Sequence, residues 1–219
     1  MLKAPKSLVD QAYEVILDAI CDGTLKPGER LTQEMIAARL NVSRQPVTHA
    51  LTLLKGQGLL REAGRRGLAV PPMDARLFDA IYQFRGAIEP LAVSLATPRL
   101  DEAMIARGRA LLKQGREMVR SRDRRGLIAA DMAFHCFIYE VADNQVIIDS
   151  MRLNWCHLRR SIGEVLRHPS TAVDVWPEHE AILDHMIAGR AEEAAALMRT
   201  HVTVTYKLVS RPARERASA

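Results

Sequence analysis

The sequence has few aromatic residues, 5% of 219 with two Trp, four Phe and four Tyr, and only three cysteines, Cys21, Cys136 and Cys156. An odd, widely spaced set of thiols excludes a disulfide framework and points to a reducing compartment. No apolar run reaches the roughly 18 residues of a membrane span, and no signal-like segment precedes the first periodic stretch, so a cytoplasmic protein is expected. Charge of one sign is also scarce. The net value is +5, and residues 1–73 carry ten Lys/Arg against seven Asp/Glu, an excess of three. That permits DNA binding without requiring it. What the chain has in quantity is Ala, Leu, Met and Arg, with 48% hydrophobic residues overall. These are helix formers, and the expected fold is mainly α.

Between residues 7 and 20, Leu8, Ala12, Val15, Ile16, Ala19 and Ile20 recur at helical spacing. A second short periodic segment follows Thr32, with Met35, Ile36, Ala38 and Leu40, and a third follows Ser43, with Val47, Ala50, Leu51 and Leu54. Both Thr32 and Ser43 are N-cap residue types. Two short helices joined at residues 40–42 are the parts of a helix-turn-helix, whose second helix enters the major groove. Leu59 and Leu60, then a Gly/Arg tip, then Leu68 to Val70, predict a hairpin wing. Ser43, Arg44, Gln45, Thr48 and His49 fall on the outward face of the third helix, and Arg65 and Arg66 on the wing tip. These seven residues are the candidate DNA contacts. Arg-rich turns are more often plain solvated surface, and three helices with a hairpin also occur in protein-binding modules.

Pro71 and Pro72 mark the expected boundary between a winged helix-turn-helix over 1–72 and a second domain over 73–210, with a flexible tail at 211–219. The second domain reads as an antiparallel helical bundle, with helices at 75–96, 100–121, 124–142, 145–166, 172–188 and 191–209. Four of its residues carry metal-ligand chemistry. Asp131 and His135 share a helix face, His179 opens the fifth helix of the group, and His201 lies in the last. One carboxylate and three imidazoles suit one divalent first-row metal, zinc or nickel before calcium or magnesium. The ordinary alternatives are helix-surface pairs and core histidines; a thiolate site on Cys136 or Cys156 is conceivable, without paired spacing to support it. Arg85, Arg152 and Arg159 are candidates for an anionic effector, although Arg85 fits equally an i,i+4 pair with Glu89.

Both halves then resemble the GntR family of bacterial regulators, in its FadR-type branch with a C-terminal FCD ligand-binding domain. The resemblance rests on "GTLKPGERLTQEMIAARLNVSRQPVTHALTLLKGQGLL" with "RRGLAVPP", and on "FRGAIEPLAVSLA", "DMAFHCFIYEVADN" and "PEHEAILDHMIAGRAEEAAALMRTHV". It implies a cytoplasmic homodimer that binds a partly palindromic operator in double-stranded DNA. It further implies an FCD-like bundle that senses a small organic acid beside a metal held by Asp131, His135, His179 and His201. The expected function is a metabolite-responsive repressor and not an enzyme. One departure stands out: many relatives have Arg-Glu where this chain has Thr48 and His49, so an Arg contact is lost or replaced. A metal-stabilised interaction protein with weakened DNA binding is the second reading. A metal-dependent enzyme is the third, and it lacks a nucleophile or base at a defined spacing, with only Glu178 and Glu180 nearby in sequence.

Overall fold

The computed structural model describes residues 6–64, 67–72, 74–165 and 169–217. The chain divides into two compact units, Met1–Asp74 and Ala75–Ala219. In the first, α1 (Leu8–Cys21) starts at Ser7, whose hydroxyl accepts the Asp10 amide at 3.1 Å. Ala12, Ile16, Leu17, Ile20 and Cys21 are its buried face. Leu8 and Val15, expected on that face, are 55% and 49% exposed. The i,i+4 row through residues 12, 16 and 20 faces the core, and Leu17 and Cys21 extend it on the other flank.

Helix α2 (Gln33–Leu40) is capped by Thr32, which accepts the Met35 amide, and it ends at Asn41 in the left-handed region, φ 51°. The turn leads into α3 (Arg44–Gly56), whose Val47, Ala50, Leu51 and Leu54 are buried as the spacing predicts. A small antiparallel sheet follows, with β1 (Arg30–Leu31), β2 (Arg61–Glu62) and β3 (Leu68–Ala69) in the order β1-β3-β2. The hairpin of β2 and β3 is the predicted wing; its second strand falls where expected, and its first begins two residues later, at Arg61. Leu59 and Leu60 are core residues instead of strand residues. Strand β1 was not expected, because two residues are too short to show a period of two. Gly67 lets the wing approach β1: a Cβ there would sit 2.6 Å from Arg30 Nε.

The second unit is a bundle of α4 (Ala75–Ala96), α5 (Glu102–Ser121), α6 (Arg124–Ala142), α7 (Gln145–Val165), α8 (Pro169–Ile187) and α9 (Ala191–Ala217). Helix α4 packs on α9 and α6, α5 on α6 and α8, and α8 on α9. Phe78, Phe134, Phe137, Ile138, Met151, Ile182 and Leu183 fill the interior. Three boundaries differ from the pattern. A single 3₁₀ turn (Thr97–Arg99) precedes α5, which begins only after Asp101 caps the Met104 amide at 2.7 Å. Helix α8 starts at Pro169, since proline is pre-organised for a first helical position. Helix α9 continues to Ala217, past the expected end at Val209, through a segment rich in strong helix formers that was read as a flexible tail. Among the described residues, no helix is long and apolar enough to cross a membrane.

Candidate metal centre and nucleic-acid interface

In the first unit, the leading end of α3 is open. Ser43 occupies the N-cap position in extended geometry, but its side chain makes no capping hydrogen bond, so first-turn amides are left for another acceptor. Arg44 Nη1 lies 3.2 Å from Glu34 Oε1 on α2, with both side chains exposed. Gln45 and His49 are exposed, and Thr48 is half-buried. The Thr48 hydroxyl donates to the Arg44 carbonyl at 2.9 Å, which commits it to its own helix. Arg65 and Arg66 lie outside the described residues; of the tip beside them, Gly64 takes φ 69°.

In the bundle, three helices bring four predicted residues together. Asp131 and His135 come from α6, His179 from α8 and His201 from α9, and all are buried. The histidines form a cluster whose ligand nitrogens lie within 4.8 Å of one another. His179 Nε2 is 3.3 Å from His201 Nε2, and Asp131 carboxylate oxygens lie 3.6 Å from His179 Nε2 and 3.9 Å from His135 Nε2. Two donors that share one ion at about 2.1 Å each stand ~3.0–3.4 Å apart for angles of 90–109°. The His179–His201 separation falls in that range and the two Asp131 separations lie just beyond it, so the three histidines form a cluster that could hold a metal ion, with Asp131 at its edge.

The other face of two rings supports the same conclusion. His201 Nδ1 is hydrogen-bonded to Glu178 Oε2 at 2.6 Å, and His135 Nδ1 lies 3.0 Å from Glu89 Oε2 as a charge contact outside hydrogen-bond geometry. A carboxylate beside Nδ1 favours the proton there and leaves Nε2 as a lone pair for a cation. Glu89 is itself held by Arg85, whose Nε donates to Oε1 at 2.6 Å, and by the Tyr139 hydroxyl at 3.0 Å. Burial alone would raise the Glu89 carboxyl, but the Arg85 guanidinium and then His135 outweigh it and hold Glu89 well below the usual carboxylate range. Sequence reasoning found Arg85–Glu89 as a pair but missed the contact of Glu89 with His135, which joins α4 to α6 and leaves no spacing signal. Glu178, noted from sequence only as an acid near His179, is the partner of His201. Glu89→Gln should weaken zinc binding about 10–100-fold while the helical circular dichroism persists. Unchanged zinc affinity by calorimetry would contradict the role given to Glu89.

His179 is enclosed by aromatic rings: Phe134 stacks on it at 4.5 Å, and Trp176 meets it edge-on at 5.1 Å. Burial first, then the neighbouring His201 and His135, push His179 well below the ordinary imidazole range. A stability consequence follows. Above about pH 6.5 the ring is neutral in folded and unfolded chains alike. Below it the unfolded chain takes up a proton that the folded chain refuses, so stability falls as pH drops toward the depressed folded value. Chelator-treated protein should lose Tm steadily from pH 6.5 to 5, and His179→Leu should show a shallower loss. Equal slopes would refute the assignment.

The remaining expectations separate clearly. Arg85 is buried beside the cluster, with Nη1 lacking a hydrogen-bond partner, as does the buried Tyr82 hydroxyl. Arg152 stands at the surface, 3.7 Å from Asp149 on its own helix, outside the cluster. The buried face of α7 runs instead through Met151, Cys156, Leu158 and Ile162. Arg159 is half-buried on α7. Burial pushes the Cys136 thiol up to about 12 and raises Cys156 as well, and among the described residues neither cysteine belongs to the histidine cluster.

Residues 8–70 match the family described as "Bacterial regulatory proteins, gntR family", and residues 80–204 match the FCD domain. The chain belongs to the GntR family, in its FCD-containing branch. Among GntR relatives, the HTH-type transcriptional regulator YdhC of Bacillus subtilis is 25% identical over 206 residues, 91% of this chain and 90% of that protein. The regulator McbR of Escherichia coli is 28% identical over 215 residues, 94% and 96% of the two chains. A crystal structure of a GntR transcriptional regulator from Rhodococcus sp. superposes with a TM-score of 0.77 at 25% identity, covering 93% of this chain and 98% of that one. Membership makes this GntR protein a DNA-binding transcriptional regulator and not an enzyme.

Proposed function

We propose that this GntR regulator is a homodimeric repressor whose operator binding is released by a small organic acid held beside one divalent metal per chain. The observation that carries the sensor half is the convergence of Asp131, His135, His179 and His201, with Glu89 and Glu178 behind two of the rings. When bound, zinc or nickel supplies positive charge and open coordination positions for an effector carboxylate. Arg85 Nη1 and the Tyr82 hydroxyl, buried and without partners, are the donors that would hold its other end. Leu77 and Leu91 on α4 and Val146 on α7 are 40%, 46% and 75% exposed, and a second copy covering those adjoining helices would account for them.

For the DNA half, the unit ending near residue 72 docks α3 in the major groove. Ser43, Arg44, Gln45 and His49 are at its open end, and the wing with Arg65 and Arg66 lies on the flanking backbone. Thr48 contributes its methyl group alone, its hydroxyl being engaged by Arg44. Selection of full chain on randomised duplexes tests the reading. The expected outcome is enrichment of one inverted repeat, with affinity lowered by at least one acid from a panel of acetate, lactate and citrate, and only in metal-loaded protein. No preference over random duplex at moderate salt would favour the interaction-protein reading instead.

A further inference from the structure

A cavity of about 560 Å³ lies between α5 and α8, separated from the histidine cluster by the Trp176 ring. That is the size of a small-molecule site. Its cations form a row on α5: Arg109, Lys113, Arg116 and Arg120, at spacings that place them along one helix face. Two of them are tied across the cleft to acids of α8. Arg109 Nη2 lies 2.6 Å from Asp184, and Arg116 Nη2 lies 2.7 Å from Glu180.

On α8, the acids at 184 and 180 are followed one turn earlier by Trp176 and Pro177. Lys113 lies between the two paired arginines on the α5 row, and Arg120 lies one turn beyond Arg116. Among the described residues, Lys113 and Arg120 have no ion-pair or hydrogen-bond partner and are exposed. Leu112, Val119 and Trp176 supply the apolar lining beside them. The Trp176 ring is packed hard on α5, since a Cβ at Gly115 would fall 2.0 Å from it, and its edge meets His179.

We infer that the α5–α8 cleft is a second binding site, for an amphipathic organic anion whose flat apolar body lies against Trp176 and Pro177 and whose carboxylate sits between Lys113 and Arg120. Charge complementarity selects the occupant: the four cations meet two acids, Glu180 and Asp184, and among the described residues Lys113 and Arg120 have no counter-charge. An apolar wall next to unpaired guanidinium and ammonium groups matches an aromatic carboxylate and leaves a neutral ring without its anchor. A metal-coordinating acid needs no such wall, so the two sites differ in ligand class.

The test uses full chain and 2-naphthoate as the probe, followed by calorimetry and by quenching of tryptophan fluorescence. Saturable binding of one probe per chain is expected, with affinity reduced at least 10-fold in Lys113→Glu/Arg120→Glu and in the neutral probe methyl 2-naphthoate. Quenching should vanish in Trp176→Phe, leaving Trp155 as the only tryptophan. Because Lys113 and Arg120 are exposed, the double variant should keep its circular dichroism and Tm. Chelation must leave probe binding intact; loss on chelation would place the probe at the histidine cluster and overturn the proposal. Unchanged affinity in the double variant, or no saturable binding, would overturn it equally.

Discussion

If the proposed metal site is right, zinc or nickel should raise the Tm of this protein, and His179→Ala is expected to abolish that stabilisation. A ligand at about 100 times its Kd stabilises the folded state by ~2.7 kcal/mol. In a chain of this size, each kcal/mol moves Tm by roughly 2–4 °C. Wild-type protein should therefore gain about 5–11 °C on metal loading, and the variant less than ~1 °C. The effect is large because His179 is fully buried and stands 3.3 Å from His201 Nε2 and 3.6 Å from the Asp131 carboxylate, at the centre of the cluster. Differential scanning calorimetry with and without metal reads it. An equal shift in wild type and variant would show that the metal binds elsewhere.

Arg44→Ala should weaken operator binding strongly without touching stability. The Arg44–Glu34 pair is solvent-exposed on both sides, and such pairs contribute little to folding. A base or phosphate contact by arginine is instead worth about 1–3 kcal/mol, hence ~2–6 kcal/mol over two half-sites. Fluorescence anisotropy at fixed salt should show a loss of at least about tenfold, with Tm unchanged. The converse variant, Thr48→Arg, should steepen the salt dependence of binding by about one unit per half-site. Wild-type affinity in Arg44→Ala would move the DNA contact elsewhere on α3 or to the wing.

The helical plan was legible in the sequence because segments carry local signals such as the Thr32 cap, which accepts the Met35 amide as expected, whereas the Asp101 cap moved the start of α5 past the expected residue 100. The ligand set was legible in part, since the i,i+4 pair of Asp131 and His135 marks one face, and His179 and His201 were joined to it by the resemblance. What lay beyond reach was long-range. Glu89 serves His135 from a helix more than forty residues away in sequence, and its own partner Arg85 looked sufficient to explain it. Glu178 borders His179 yet turns to His201, because successive helical residues point about 100° apart. Strand β1 and the rotated face of α1, with Leu8 and Val15 outward, depend on packing that local periodicity does not encode.

X-ray absorption at the zinc and nickel edges, on full chain purified without chelator, tests the central claim most directly. One ion per chain is expected, with a nitrogen and oxygen shell at about 2.0–2.1 Å and the outer-shell scattering of imidazole. That signal should disappear in His179→Ala. A sulfur shell at about 2.3 Å, pointing to Cys136 or Cys156, or a protein that takes up no divalent metal, would contradict the account.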